Sequence, residues 1–465
     1  MAAPSVIIIG GGPAGHSCAV RLAQCGAQVT LIERDLVGGI CTNWGCTPSK
    51  AMIESAKVAL EVDRAAHYGV EVASRSIDFA RVIERRDRVV DETRRDISEL
   101  LASHGVTVLG GEGRLSAPGV VDFAPNPDSD HPAGALRCDH VVIDTGSQPI
   151  APPGFATDHP AVIYSNRLVS ITEQPRRLVI VGGGVIGLEF ATTFAALGTE
   201  VTIVEMMDRL VPFLDEEITA TISTTLEQRG VRIMTGHAAA GMDADELVVR
   251  PVEDGNETRI PADTVLLAIG RRPVLDTERL ERCGIDHDPK TGIATDAYLR
   301  SSVPGVWAIG DATGESILAH VGMQQGIICA ENITASSPVR YRAMDYRVVP
   351  TVVYTLPEIV ALGDPGDEPG LRCVRLPFTN DMRAQIEDRT AGVLKLWLRA
   401  DRLVAAQAIG HNVSEFAQEL ALMIAHRLPI ADVAEIIHPH PSYCESIRVA
   451  LRMDLGTRIS PLREA

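Results

Sequence analysis

Two segments of this chain share one pattern: residues 6–34 read VIIIGGGPAGHSCAVRLAQCGAQVTLIER, and residues 178–206 read LVIVGGGVIGLEFATTFAALGTEVTIVEM. Each begins as a β-branched strand, passes through G-x-G-x-x-G into an apolar helix pattern, and ends in a second strand that closes on an acid. A strand, glycine turn and helix of this kind bind the diphosphate of a dinucleotide at the helix N-terminus. Because the two copies are in the same register, the sequence predicts two Rossmann-like dinucleotide-binding units in an α/β fold.

The pattern also predicts which residues contact the nucleotides. The first glycine permits the tight turn, the second lets the backbone approach the diphosphate, and the third lets the helix pack close to the strand. The closing acids would accept hydrogen bonds from the ribose 2′-hydroxyls. The predicted contacts are Gly10, Gly12, Gly15 and Glu33 in the first unit and Gly182, Gly184, Gly187 and Glu205 in the second.

If the second unit binds a nicotinamide cofactor, its acid indicates which one. Glu205 would accept from a free 2′-hydroxyl and repel a 2′-phosphate. The next residues offer Arg209 but no paired basic cluster. NAD(H) would therefore be favoured over NADP(H).

Composition excludes several classes of function. The 465 residues suggest about three domains. A formal net charge of −18 disfavours nucleic acid and anionic membrane as partners. The most membrane-like stretch, Leu178 to Leu197, is better explained as a buried strand, turn and helix, and Met1 to Ser5 have no basic residue of a secretory signal. Nine cysteines, an odd number, do not form a secreted disulfide framework, so a cytoplasmic location is expected.

The rest of the chain divides by pattern. A helical stretch is predicted from about Lys50 to His104, with hairpins near 126–134 and 253–258. From about Asp345 the chain becomes rich in strand patterns, followed by an apolar-periodic helix from Ser414 to His426. An acidic loop, GDPGDEPG at 363–370, interrupts this last part, which indicates a separate α+β domain.

The strongest chemical motif is GGICTNWGCTPSKAM at residues 38–52. Two cysteines five positions apart, Cys41 and Cys46, can come within disulfide distance where a loop enters a helix. Pro48 fits the first turn of that helix, so Cys46 would lie near the N-terminus, where the helix dipole favours a thiolate. Lys50, one turn further on, falls on the same face as Cys46.

A second motif is HPHPSYCES at residues 438–446. His440 and Glu445 can form a carboxylate–imidazole pair, and such a base is what dithiol oxidation requires, because the thiolate is the attacking species. The alternatives are a structural histidine and a zinc site made by His438, His440 and Cys444. No fourth ligand lies nearby, so no metal is predicted.

Together, GGICTNWGCTPSK, the two glycine repeats, AIGDATG at 308–314 with the following LAH, and HPHPSYCE resemble the class I pyridine nucleotide–disulfide oxidoreductases, and among them the dihydrolipoamide dehydrogenases. The resemblance covers essentially the whole chain. It implies a homodimer that binds FAD and NAD and acts on a lipoyl-bearing protein. It also implies four parts: an FAD-binding domain (1–149), an NAD-binding domain (150–271), a central domain that completes the FAD site (272–344) and an interface domain (345–465).

The resemblance implies a task for each matching residue. Cys41 would be the interchange thiol, Cys46 would lie against the flavin, and His440 with Glu445 would act from the partner subunit. Lys50 and Glu189 would form an ion pair at the flavin. The cofactor contacts it adds to those of the two repeats are Lys50, Gly113, Asp311 and Ala319 for FAD and Gly270 for NAD.

Several departures from the family pattern leave the substrate open. Tyr443 and Cys444 replace residues that are usually small, and both are expected near the substrate channel. A mercuric reductase is disfavoured because the final residues, SPLREA, contain no cysteine. Three interpretations therefore stand: oxidation of protein-bound dihydrolipoamide with NAD+, NADH-driven reduction of another disulfide, and a flavin-binding interaction protein.

Overall fold

The computed structural model describes residues 3–253, 255–366 and 369–459. The predictions that concern Met1, Ala2, part of the acidic loop and the final SPLREA lie outside the described residues.

The first part of the chain alternates strands and helices. Its elements are β1 (Ser5–Ile9), α1 (Pro13–Gln24), β2 (Gln28–Glu33), α2 (Gly39–Trp44), α3 (Cys46–Arg64), a 3-10 turn (Ala65–Tyr68), α4 (Phe79–Ser103), β3 (Thr107–Ala117), β4 (Val120–Pro125), β5 (Gly134–Arg137), β6 (His140–Ile143) and β7 (Ser147–Pro149).

The second part repeats this alternation. Its elements are β8 (Val162–Tyr164), α5 (Ser165–Leu168), β9 (Arg177–Val181), α6 (Val185–Ala196), β10 (Glu200–Val204), α7 (Glu216–Gln228), β11 (Arg232–Met234), β12 (His237–Asp243), β13 (Glu246–Pro251), β14 (Thr258–Pro261), β15 (Thr264–Leu267) and β16 (Arg271–Pro273).

The remaining elements form a short returning segment and a C-terminal unit. They are α8 (Thr277–Arg282), β17 (His287–Asp288), β18 (Gly292–Ile293), β19 (Val306–Ala308), a 3-10 turn (Gly310–Thr313), α9 (Ala319–Ile333), a 3-10 turn (Pro338–Arg340), β20 (Thr351–Val353), β21 (Glu358–Leu362), β22 (Leu371–Pro377), a 3-10 turn (Phe378–Asn380), α10 (Met382–Ile386), β23 (Val393–Arg399), β24 (Arg402–Gly410), a 3-10 turn (Val413–Phe416), α11 (Ala417–Ala425), α12 (Ile430–Ala434) and α13 (Glu445–Asp454).

The first sheet has the strand order β19-β6-β1-β2-β3-β4-β5. The strands from β19 to β3 are parallel, whereas β3, β4 and β5 form an antiparallel extension. The parallel strands are nearly continuous runs of buried Val and Ile, because helices cover both faces of such a sheet. Strand β19 follows the second unit in the sequence, so the first sheet is completed by residues from beyond that unit.

The second sheet is fully parallel, with the strand order β11-β10-β9-β15-β8. Strands β12, β13 and β14 form a separate antiparallel sheet in that order. Helix α6 is buried on nearly all sides. A helix that is apolar all round belongs in a protein core or a membrane, and here it packs against α3 of the first unit. The strand–turn–helix interpretation of residues 178–197 is therefore confirmed. Among the described residues, no helix is long and apolar enough to span a bilayer.

The C-terminal unit is an antiparallel sheet of order β20-β21-β24-β23-β22, with α11 and α13 packed against it. This is the α+β unit that the change of pattern near Asp345 predicts. The two predicted hairpins are also present, since β4 and β5 flank the first and β13 and β14 the second.

Two predicted helical segments differ from the structure in detail. The helical stretch from about Lys50 to His104 consists of two helices: α3 ends at Arg64, the 3-10 turn that follows stops at Gly69, whose φ of +76° cannot continue a helix, and α4 begins at Phe79. The helix predicted from Ser414 starts as the tighter 3-10 turn before α11 begins at Ala417.

Candidate active site

The two glycine turns have the same local geometry. The Glu33 carboxylate accepts from the Gly11 amide at 2.6 Å, and the Glu205 carboxylate accepts from the Gly183 amide at the same distance. In each unit the other carboxylate oxygen accepts from a backbone amide two residues further along, at 2.8 Å. Each acid is thus fixed at the mouth of its turn, with lone pairs left to accept from a ribose hydroxyl.

The third glycine of each turn is required by close packing. A Cβ on Gly15 would overlap the carbonyl oxygen of Gly10, and a Cβ on Gly187 would overlap that of Gly182. The first glycines both have a φ of +112°, in the region that favours glycine. Gly184 precedes α6 as Gly12 precedes α1, so the residues predicted from the two repeats occupy matching positions.

A cleft of about 1800 Å³ runs from the first glycine turn to the cysteines. It exceeds the roughly 300–1000 Å³ of an ordinary ligand pocket, as an extended dinucleotide requires. The residues predicted for FAD and for catalysis that line it are Gly10, Gly12, Glu33, Cys41, Cys46, Lys50, Gly113, Glu189, Asp311 and Ala319.

The residues predicted for NAD lie outside the walls of this cleft. They are Gly182, Gly184, Gly187, Glu205 and Gly270, and the last has a φ of +129° at the turn into β16. Helix α6, which follows the second glycine turn, nevertheless lines the cleft through Val185, Ile186 and Glu189. One helix therefore borders both predicted cofactor regions.

Cys46 begins a helix as predicted, but Cys41 lies in a short helix of its own and not in a loop, which corrects the expected local structure. Cys41 belongs to α2, Cys46 is the first residue of α3, and Gly45 joins the two. A Cβ on Gly45 would lie only 2.9 Å from the Ile40 carbonyl oxygen, so this junction needs a glycine. The junction turns the chain back on itself and brings the two thiols into hydrogen-bonding contact.

The two thiols differ in acidity. The hydrogen bond from Cys41 lowers the pKa of Cys46 to about 7, and the charge of Lys50 lowers it further against the opposing effect of burial. The same contact, together with burial, raises the pKa of Cys41. The negative charge of a singly ionised pair therefore resides on Cys46, at the helix N-terminus and on the wall of the cleft.

A partly buried ion pair joins three parts of the chain beside the cysteines. The Lys50 ammonium of α3 lies 2.6 Å from the Glu189 carboxylate of α6. The other oxygen of Glu189 accepts from the Tyr354 amide at 3.0 Å, and the ammonium lies 4.9 Å from the centre of the Tyr354 ring. Glu189 is only 5% exposed, and both of its oxygens are satisfied.

The predicted Asp311 lies beside three residues that the sequence patterns did not single out, namely Ser147, Arg271 and Asp144. Asp311 accepts from the Ser147 hydroxyl at 2.5 Å, and Arg271 donates to the same hydroxyl oxygen at 2.8 Å. Asp144, at the end of β6, is buried and also lines the cleft. Their positions at strand ends beside the glycine turn were a usable signal, because ligands bind at the carboxyl edge of a parallel sheet.

The predicted histidine pair is formed. His440 Nδ1 lies 2.8 Å from Glu445 Oε2, and Arg448 holds the other oxygen of Glu445 at 3.1 Å. The His440 side chain is 61% exposed and is absent from the walls of the cleft. The structure thus assembles the pair but does not bring it to the cysteines of the same chain.

The three residues considered for zinc have other contacts. His438 is buried, and its Nε2 lies 2.9 Å from the Glu419 carboxylate while its Nδ1 faces the Ile436 carbonyl at 3.0 Å. The Cys444 sulfur lies 3.0 Å from the Ser442 hydroxyl. Among the described residues there is no group of three or more His, Cys, Asp or Glu side chains placed to hold a metal ion.

Tyr443 is turned inward, which the sequence did not indicate. Its hydroxyl donates to Glu387 at 2.8 Å, and its ring packs edge-on against Phe378 and His411. Burial raises the pKa of Tyr443, so this phenol remains a hydrogen-bond donor.

Comparison with known families agrees with this geometry. Residues 4–326 match the family described as pyridine nucleotide-disulphide oxidoreductase, and residues 349–451 match its dimerisation domain. The chain belongs to this family. The oxidoreductase therefore has the predicted architecture of two dinucleotide-binding units and a C-terminal dimerisation domain.

Its relatives span nearly the whole chain. A dihydrolipoyl dehydrogenase of Halobacterium salinarum is 34% identical over 467 residues, which cover 98% of this chain and 97% of the relative. A dihydrolipoyl dehydrogenase of Pseudomonas aeruginosa is 36% identical over 471 residues, 97% of each chain.

Solved structures with a similar fold include the following two. LpdA from Mycobacterium tuberculosis has a TM-score of 0.87 at 28% identity and covers 97% of this chain and 99% of its own. The HOCl-induced flavoprotein disulfide reductase RclA from Escherichia coli has a TM-score of 0.85 at 26% identity, with coverage of 97% and 100%.

The oxidoreductase is accordingly an FAD-dependent, NAD-linked enzyme of dithiols and disulfides. The structure fits both cofactors: a long cleft leads from a glycine turn to the thiols, and a second glycine turn with its own acid lies on the helix that borders the cleft. An enzyme is thus established over a flavin-binding interaction protein.

Proposed function

We propose that this oxidoreductase oxidises protein-bound dihydrolipoamide with NAD+. The observation that carries the proposal is the thiol pair at the end of the cleft, in which Cys46 is the more acidic member. The identity of about a third to dihydrolipoyl dehydrogenases over the whole chain supports the same substrate. The proposal includes the four domains 1–149, 150–271, 272–344 and 345–465, a homodimer, and a cytoplasmic location.

The thiol exchange follows from the properties of the pair. In the oxidised enzyme Cys41 and Cys46 are joined, and a substrate thiolate attacks the Cys41 sulfur to form a mixed disulfide. The Cys41–Cys46 bond breaks, and its electron pair leaves as the Cys46 thiolate. A low thiol pKa makes Cys46 the better leaving group. The second substrate thiolate then displaces Cys41, so that the substrate leaves as a disulfide and the enzyme holds two reduced sulfurs.

His440 is the proposed base that takes the substrate protons. Glu445 accepts from Nδ1 and so leaves Nε2 free to accept a proton, while Arg448 fixes the carboxylate. Because His440 lies outside the cleft of its own chain, we assign it to the site of the partner subunit in the dimer. The dimerisation domain supports this arrangement.

The remaining site residues hold the cofactors. Bound FAD supplies the means of passing an electron pair between the dithiol and NAD. Lys50 and Glu189 would fix a buried charge beside it, and Gly113, Asp311 and Ala319 would complete its site together with the first glycine turn. Gly182, Gly184, Gly187, Glu205 and Gly270 would hold NAD(H).

A second candidate is an NADH-driven reductase of a different disulfide. Two observations favour it: the likeness to RclA, which is described as a flavoprotein disulfide reductase, and the unusual Tyr443 and Cys444 next to the proposed base. In this case the same exchange runs in reverse, with the Cys41 thiolate attacking the disulfide.

A substrate panel distinguishes the two. The rates of dihydrolipoamide oxidation by NAD+ and of NADH-dependent reduction of lipoamide, glutathione disulfide and cystine are measured on the purified protein. Lipoamide and its dithiol should give the highest kcat/KM. Rapid reduction of another disulfide without turnover of lipoamide would reject the dihydrolipoamide proposal and support the second candidate.

A further inference from the structure

The two glycine turns differ at one neighbouring position. In the first unit this position is Asp144, directly after β6, and the Asp144 amide donates to the Ile9 carbonyl at 2.8 Å. In the second unit it is Ala268, directly after β15, whose amide donates to the Val181 carbonyl at 2.8 Å. In both units a Cβ on the first glycine of the turn would overlap the backbone of the residue at this position. The matched backbones show that a carboxyl is not needed to build such a turn.

The Asp144 carboxyl occupies the space around the N-terminus of α1. It is 7% exposed and its Oδ2 accepts from the Gly15 amide at 2.7 Å. The same oxygen would lie 3.4 Å from a Cβ on Gly12, and a Cβ on Gly310 would overlap Oδ1. Among the described residues no donor reaches Oδ1, while Asp144 forms part of the cleft wall.

The surroundings of this carboxyl are acidic. Burial raises the pKa of Asp144 well above its ordinary range, and the charges of Asp311 and Glu33 add to the effect against the Gly15 hydrogen bond. The Arg271 guanidinium donates to the hydroxyl and the carbonyl of Ser147 and does not contact Asp144. The titratable or charged side chains on the surrounding elements are His16, Cys18 and Arg21 of α1, Glu33 of β2, His140 of β6, Asp311 of the 3-10 turn, and His320, Cys329 and Glu331 of α9, whereas β1 and β19 have none.

We propose that Asp144 is a neutral carboxylic acid when FAD is bound, and that its Oδ1–H group donates to the FAD diphosphate while Oδ2 keeps the Gly15 amide. An ionised Asp144 would place a third negative charge against the diphosphate at the helix N-terminus, where only Oδ2 has a donor. The inference rests on the placement of FAD at the first glycine turn. It makes Asp144 a proton-holding contact for FAD that the NAD unit lacks.

The consequence is a coupling between FAD binding and protons. The diphosphate raises the pKa of Asp144 further, so FAD binding takes up a proton at any pH between the pKa without FAD and the pKa with FAD. FAD affinity is therefore highest below this window and falls as the pH rises through it, by up to about tenfold per pH unit for one proton.

The test measures FAD release from the holoenzyme. FAD freed at equilibrium is quantified by its fluorescence after dilution, from about pH 6 to about pH 9, for the natural protein, Asp144→Asn and the exposed control Asp158→Asn. We expect affinity to fall with pH in the natural protein and in Asp158→Asn. Asp144→Asn should bind FAD with little pH dependence, and at high pH more tightly than the natural protein, because its amide always donates.

A second readout is independent of affinity. The infrared difference spectrum between the natural holoenzyme and Asp144→Asn should contain the C=O band of a protonated carboxyl. Absence of this band, or FAD affinity that is independent of pH in the natural protein, would overturn the proposal. If Asp144→Asn does not assemble with FAD, the pH profile of the natural protein still decides. If Gly12→Val leaves FAD release unchanged, the result would instead contradict the placement of FAD at the first glycine turn.

Discussion

The cysteine pair and the histidine pair are both complete as local structures, but they differ in their surroundings. Cys41 and Cys46 lie at the end of a large cleft, next to the partly buried Lys50–Glu189 ion pair. His440 and Glu445 are hydrogen-bonded to each other, yet the imidazole is mostly exposed. The cysteines form the redox half of the proposed site and lie on the cleft, whereas the acid–base half, His440 and Glu445, lies outside the cleft of the same chain.

Cys46→Ser should have the largest effect, because it removes the sulfur that leaves as a thiolate. The dihydrolipoamide:NAD+ rate should fall by more than about a thousandfold, as when other covalent catalysts lose a reacting residue. A steady-state assay checks this, and Cys25→Ser, at an exposed cysteine after α1, should retain full activity. Comparable losses in both variants would show that the effect is not specific to the pair.

His440→Gln should lower kcat by about a hundredfold to ten-thousandfold, the usual contribution of a general base. NADH should still reduce the flavin of this variant, because the cysteine side of the cleft is intact. Loss of flavin reduction by NADH would contradict the separation of the two halves.

Mixed dimers test whether the halves come from different chains. If Cys46→Ser and His440→Gln chains are unfolded and refolded together, each heterodimer has one site with both natural residues and one with neither. An equal mixture should regain about a quarter of the natural activity, since half of the dimers are mixed and each has one working site. Mixtures that remain inactive would assign His440 to its own chain.

Lys50→Met should change the acidity of the redox half without removing a sulfur. The pKa of Cys46 is lowered to about 7, and Lys50 contributes to this, so the thiolate is present above that pH in the reduced protein. Removing the ammonium should move the midpoint of iodoacetamide alkylation at Cys46 to higher pH by about one unit, the lower end of the effect of a close opposite charge. An unchanged midpoint would exclude Lys50 as the cause.

Tyr443→Phe should have the smallest effect. It removes the hydrogen bond to Glu387, which contributes about 1 kcal/mol to the free energy of unfolding. A thermal denaturation curve should show a slightly lower Tm with kcat/KM for dihydrolipoamide nearly unchanged. A large change in kcat/KM would place Tyr443 in the substrate channel, where the sequence alone suggested it.

Much of this account could be predicted from local patterns. The glycine repeats predicted both parallel sheets, because strand, turn and helix follow one another within each segment. The pair of His440 and Glu445 was predicted from a spacing of five residues, and the 2.8 Å contact between them agrees with it. Such features depend on neighbours in the sequence and are visible without a structure.

Contacts between distant segments could not be predicted in this way. Arg271 and Ser147 meet only because β16 pairs with β7, and the inward turn of Tyr443 depends on Phe378 and His411. Asp144 is a single residue at the end of β6, and its burial depends on glycines from α1 and from the 3-10 turn after β19.

The proposed function requires that a dithiol reduces the flavin only through Cys41 and Cys46. The purified natural protein and Cys46→Ser are each mixed rapidly with dihydrolipoamide and, separately, with NADH. The loss of flavin absorbance is then followed with time. Both reductants should bleach the natural protein, and only NADH should bleach the variant. Equally fast bleaching of Cys46→Ser by dihydrolipoamide would contradict the claim.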